Sequence, residues 1–80
     1  MEKTIYIEQR KRLNNLIREI RIEAGLTQAE LAKRIGRDQT LISKYESGER
    51  RLDILEIREI CQATGITLEK FVRRLEKALK

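Results

Sequence analysis

The chain has four glycines, Gly25, Gly36, Gly48 and Gly65, and no proline. Each glycine follows a run with helical periodicity, the runs ending at Ala24, Ile35, Ser47 and Thr64. A helix that stops there calls for one residue in the left-handed conformation, and glycine takes it at least cost. The glycines therefore read as stops that divide the chain into five helices. Start signals fall where this division needs them. "TQAE" (Thr27 to Glu30) and "DILE" (Asp53 to Glu56) have capping-box spacing, and Asp38 and Thr67 are simple N-cap candidates. Neither an internal repeat nor a low-complexity segment intervenes.

The first helix is expected from about Ile7 to Ala24, with Leu13, Leu16, Ile17, Ile20 and Ala24 on one inward stripe. "TIYI" (Thr4 to Ile7) could extend this helix or lie flat. Its β-favouring residues lead us to expect an extended N-terminal arm over residues 1–6. The fourth helix, about Asp53 to Thr64, carries Ile54, Leu55, Ile57, Ile60 and Cys61, an apolar face too wide for surface duty. The fifth, about Leu68 to Leu79, sets Leu68, Phe71, Val72, Leu75 and Leu79 against Lys70, Arg73, Arg74 and Lys77. That amphipathic stripe is assigned to core packing rather than to a membrane surface.

An 80-residue chain has room for one core, since folding at this size buries only about 60% of the unfolded surface. With 39% charged residues and only 4% aromatics, an all-α domain spanning 1–80 fits better than a sandwich. The surplus of 18 Lys+Arg over 13 Asp+Glu favours a polyanion, either nucleic acid or an acidic membrane face. Histidine is absent and Cys61 is the only cysteine. That inventory excludes an intramolecular disulfide, a Cys/His zinc site and a histidine-based triad, and Cys61 reads as a small buried hydrophobe. No clustered acid, base and nucleophile and no phosphate loop is present, so an enzyme, a metal site, a cofactor and a small-molecule ligand are all unexpected. No segment reaches the roughly 18 apolar residues of a membrane span or the pattern of a signal peptide. A cytoplasmic protein without a membrane partner is the expectation.

Between Gly25 and Gly48 lie two helices of about eight residues, Gln28 to Ile35 and Gln39 to Ser47, joined by "GRD". Helices this short are marginal alone and must be held by packing. The tight turn and Gly36 predict a steep crossing, as in a helix-turn-helix, with Ala32 allowing close approach. At 100° per residue, Gln39, Thr40, Ser43, Lys44 and Ser47 fall within about 140° of one another. Ile42 and Tyr45 lie behind them as core anchors. Glu46 sits at an edge and wants a cation, because an unpaired buried charge costs several kcal/mol.

These residues resemble the Cro/repressor-like helix-turn-helix proteins of phages and bacteria, the XRE family. The resemblance runs over "LTQAELAKRIGRDQTLISKYESGERRLDILEIREICQATGITLEKFVRRL" (Leu26 to Leu75) and the "LIREIRIEAG" before it. It rests on Gln28 opening the second helix, Ala32 within it, Gly36 in the turn, Ile42 in the third helix and "YESGER" closing the unit. It implies a five-helix lambda-repressor-like domain whose third helix enters the DNA major groove. The base-reading positions then correspond to Asp38, Gln39, Thr40, Ser43 and Lys44. Gln28 matches a phosphate-clamping glutamine, and Ser47, Arg50 and Arg51 fall in the segment that meets the backbone. Glu49 departs from the pattern, since a carboxylate there repels phosphate. The resemblance also pairs Arg21 with Glu46 in a structural salt bridge.

Gln39 suits a bidentate contact to adenine and Lys44 a contact to guanine, each able to discriminate by roughly 1–3 kcal/mol. Asp38 reads first as an N-cap. One short helix specifies too few base pairs, so a homodimer on a pseudo-palindromic operator is expected, with half-sites about 34–36 Å apart. Ile66, Leu68, Phe71, Leu75, Ile5 and Tyr6 are the interface candidates. The expected function is a transcriptional regulator, most simply a repressor. The alternatives are a restriction–modification controller or a DNA-binding antitoxin whose main partner is a protein toxin.

Overall fold

A computed structural model describes residues 2–80, with side chains described from residue 4. It contains five α-helices: α1 (Glu2–Glu23), α2 (Gln28–Arg34), α3 (Gln39–Ser47), α4 (Ile54–Thr64) and α5 (Leu68–Leu79). The start signals act as their chemistry requires. Thr27 and Asp53 each accept from the backbone N–H three residues on, while Glu30 and Glu56 accept from the cap N–H in return. Asp38 accepts from the N–H of Thr40 and Thr67 from that of Lys70, both at 3.1 Å.

The extended arm expected at the N-terminus is not found, because α1 runs back through Thr4–Ile7 to Glu2. The β preference of Ile, Tyr and Thr is realised on a pleated sheet, and no strand exists among the described residues to supply one. A helix already nucleated downstream satisfies the same backbone groups at little further cost. Ile5, Tyr6 and Ile7 consequently stand exposed.

The core is built from Leu16, Ile17 and Ile20 of α1, Leu26 of the following turn, Leu31 and Ala32 of α2, Ile42 and Tyr45 of α3, Ile57, Ile60 and Cys61 of α4, and Phe71 of α5. α1 lies against α3, α4 and α5, while α2 packs on α3 and α4. Two expectations are corrected by this core. The wide apolar face on α4 is not all buried, with Ile54 at 56% and Leu55 at 71% exposure. Ile57, Ile60 and Cys61 form the inward stripe, and Leu55 lies about 160° round the helix from Ile57. Phe71, on the stripe assigned to core packing and also an interface candidate, is 1% exposed inside the core, which leaves it no part in an interface. Ile66, Leu68 and Leu75 are half-buried against its margin.

Arg74 clamps α5 to α1 through two 2.7 Å bonds to Glu23, and the Arg12 guanidinium donates to the carbonyl of Ala78. Among the described residues no helix is long and apolar enough to cross a membrane.

Candidate nucleic-acid interface

The turn between α2 and α3 is set by Gly36 at φ +68°, with the N–H of Gly36 donating to Lys33 O and that of Arg37 to Ala32 O. The chain reverses within a few residues and Asp38 restarts it as a helix. Ile42 (0% exposed) and Tyr45 (1%) are driven into the core from the inner face of α3, with Leu41 half-buried beside them. Gln39, Thr40, Ser43, Lys44 and Ser47 are all exposed, so the structure brings them onto one open face. Asp38 is exposed too, but one of its carboxylate oxygens is committed to the cap.

The far end of α3 is closed by Gly48 at φ +85°. A Cβ there would also lie 2.8 Å from Asn14 Nδ2 of α1, so a side chain at this position is disfavoured on two counts. Asn14 is the one buried polar residue among the core positions, and the sequence reading missed it. A polar residue three before Ile17, on the buried stripe, was the available signal. Beyond Gly48, the N–H of Arg50 returns to the carbonyl of Lys44 at 3.2 Å, and Ser47 Oγ accepts from the N–H of Glu49. Glu49, Arg50 and Arg51 leave this turn exposed.

Two networks fix α3 from behind. Arg21 Nε and Nη2 donate to the two Glu46 oxygens at 2.6 and 3.0 Å, and Nη1 donates to Leu26 O at 2.8 Å. The pairing expected between Arg21 and Glu46 is present, with the two side chains 11% and 6% exposed. A third member was not foreseen. Gln28 Nε2 donates to Glu46 Oε1 at 3.1 Å, so one hydrogen of the amide read as a phosphate clamp is held by the protein and the other is left over.

In the second network the Tyr45 hydroxyl donates to Glu56 Oε2 at 2.5 Å, and Arg50 Nη2 stands 3.7 Å from the same oxygen. The Arg50 guanidinium also lies 6.0 Å from the Tyr45 ring centre, within cation–π reach. Glu56 was legible as a cap but not as a partner of α3, because nothing local joins positions 11 residues apart. Burial first, and the Glu56 hydrogen bond second, push the Tyr45 phenol up to about 12. The same bond, with the Asp53 N–H, holds the Glu56 carboxyl below its usual value.

A raised phenol pKa contributes stability that is complete below the unfolded value near 10 and is lost as pH rises toward about 12. Urea midpoints measured at pH 9 and pH 11 should therefore fall more for the wild type than for Tyr45→Phe. Parallel losses in the two proteins would refute this linkage.

The helix-turn-helix family profile matches residues 17–71. The uncharacterized HTH-type transcriptional regulator y4dJ of Sinorhizobium fredii is 33% identical over 61 residues, covering 76% of this chain and 79% of that protein. Among solved structures, an XRE-family like protein from Pseudomonas syringae pv. tomato superposes with a TM-score of 0.86 at 41% identity, over 95% of this chain and 93% of that one. The restriction–modification controller protein C.Esp1396I, as a tetramer in complex with its natural 35 base-pair operator, superposes with a TM-score of 0.81 at 30% identity, over 89% and 93%. Sequence, helix order and the α2–α3 turn thus agree, and the chain belongs to the XRE family of helix-turn-helix regulators.

Proposed function

We propose that this chain regulates transcription by binding double-stranded DNA in a sequence-specific way, with α3 in the major groove. The observation that carries the reading is the two-sided build of α3. Ile42 and Tyr45 are sealed behind it while Gln39, Thr40, Ser43 and Lys44 stand clear in front. Gln39 and Lys44 have the reach and donor sets for adenine and guanine edges, and Thr40 and Ser43 are small enough to let the helix sit deep. Asp38, besides capping, could accept from cytosine. Gln28, Ser47, Arg50 and Arg51 would contact phosphates on either side. The exposed Arg50 would then exchange its half-buried carboxylate partner Glu56 for a phosphate. In vitro selection from random duplex DNA tests the reading: one enriched, symmetric site is expected, and no enriched sequence would refute it.

A homodimer on a pseudo-palindromic operator follows from the small number of base pairs one such helix reads. The controller tetramer on its operator supports a multimer of this kind and favours a controller-type role. With Phe71 in the core, a pairing surface would draw on the exposed Leu55 of α4 and Val72 of α5 with the half-buried Leu68 beside them. The spacing of Leu55, Arg58 and Gln62 puts them on one helix face, whose far end borders Leu68.

Substitutions separate reading from clamping. Lys44→Ala should cost about 1–3 kcal/mol on the selected site and relax preference at one base position. Arg50→Ala should weaken binding to all sequences alike and flatten the slope of log K against log salt by about one. A Lys44→Ala protein that selects the same site as the wild type removes Lys44 from the readers.

A further inference from the structure

We infer that the N-terminal half of α1 is a second phosphate-binding element, which extends the DNA contact past the end of α3; the inference rests on the DNA-binding function proposed above. Two guanidiniums lie within cation–π reach of the Tyr6 ring, that of Arg10 at 5.8 Å and that of Arg51 at 5.7 Å from its centre. Arg10 comes from α1 and Arg51 from the segment after α3, so the ring gathers cations from two elements separated widely in sequence. Beside them a cleft of about 170 Å³ is lined by Ile7, Arg10, Lys11 and Asn14 of α1 and by Ser47 and Gly48 at the end of α3.

Like charges gathered on one ring repel each other, and an anion near them offsets that cost by its own attraction. Among the described residues the salt bridges engage Arg21, Arg37, Arg50 and Arg74, and none engages Arg10, Lys11 or Arg51. The cations are therefore uncompensated where the cleft opens beside Ser47. Glu49 in the adjoining turn adds a negative charge but forms no salt bridge with these cations among the described residues. An anion entering the cleft meets Arg10 and Lys11, with Arg51 on the other contact of the Tyr6 ring. With α3 in the major groove, the anion next to the end of that helix is a phosphate of the flanking backbone. The helical course of Thr4–Ile7 acquires a role in this way, since an extended arm would not present Tyr6 and Arg10 one turn apart on a single face.

The test is the salt dependence of binding to the selected duplex by wild type, Arg10→Ala, Arg10→Lys and Arg50→Ala. Loss of one phosphate contact lowers the slope by about 0.9, so between about 50 and about 200 mM salt Arg10→Ala should lose roughly 3.5-fold less affinity than the wild type. Arg10→Lys should keep the wild-type slope, and the selected base sequence should not change. A wild-type slope in Arg10→Ala beside a lowered slope in Arg50→Ala overturns the inference and leaves the DNA-binding function standing, as does a fall in Tm without a change in slope. A wild-type chain that binds no duplex removes both.

Discussion

Replacing Glu46 with alanine is expected to cost about 3–5 kcal/mol of folding stability, because it strands the Arg21 guanidinium inside the protein without its carboxylate. Arg21 is 11% exposed, and two of its three hydrogen bonds end on Glu46. The third holds the carbonyl of Leu26, so the same side chain ties the end of α1 to the turn before α2. Gln28 loses its partner as well. A domain of this size has about 4–12 kcal/mol in total, so the variant should melt well over 10 °C lower. Removing both charges behaves differently. Arg21→Met with Glu46→Leu leaves no orphaned ion, and the double variant should lose clearly less than the two single losses added together. Urea unfolding of the four proteins measures the cycle. A Glu46→Ala loss below about 1 kcal/mol would show that the pair behaves like a solvated surface bridge.

This pair also marks how far the sequence could be read. The helix stops and caps were legible because their chemistry is local: a left-handed glycine, or a Ser/Thr/Asp side chain within three residues of the N–H it serves. The α3 face was legible for the same reason, since periodicity alone separates Gln39, Ser43 and Lys44 from Ile42 and Tyr45. Contacts between helices were not. The Arg21–Glu46 pair came from resemblance, and its third member Gln28 and the Tyr45–Glu56 bond came only from the fold. At Thr4–Ile7 a strand preference was read where no strand partner exists. At Ile54 and Leu55 a run of apolar residues was read as one buried face, although Leu55 points to the far side of the helix and Ile54, on the inward side, stands exposed at the first residue of α4. Both errors treated composition as if it were placement.

Phe71 is the third such case, and the second large effect follows from it. An apolar stripe on a terminal helix serves a core or a partner equally well, and sequence alone left Phe71 open to both. In the fold it is the one fully buried residue of α5, at 1% exposure. The other bonds holding α5 to α1 are those of Arg74, whose side chain is 35% exposed, and of Arg12, and surface pairs of this kind add about 0–1 kcal/mol each. Docking of α5 therefore depends chiefly on this ring, with Leu68 and Leu75 packed half-buried at the core margin. Phe71→Ala should cost about 3–5 kcal/mol, whereas Phe71→Leu, which keeps most of the volume, should lose far less. Concentration separates the two roles. A core residue lowers the melting temperature by the same amount in dilute and concentrated protein, but an interface residue removes whatever part of the stability rises with concentration. We expect the first pattern for Phe71→Ala, with the wild type's own concentration dependence retained in Phe71→Leu. If the loss on Phe71→Ala disappears as the protein is diluted, the ring belongs to a subunit contact and the core drawn around α5 is wrong.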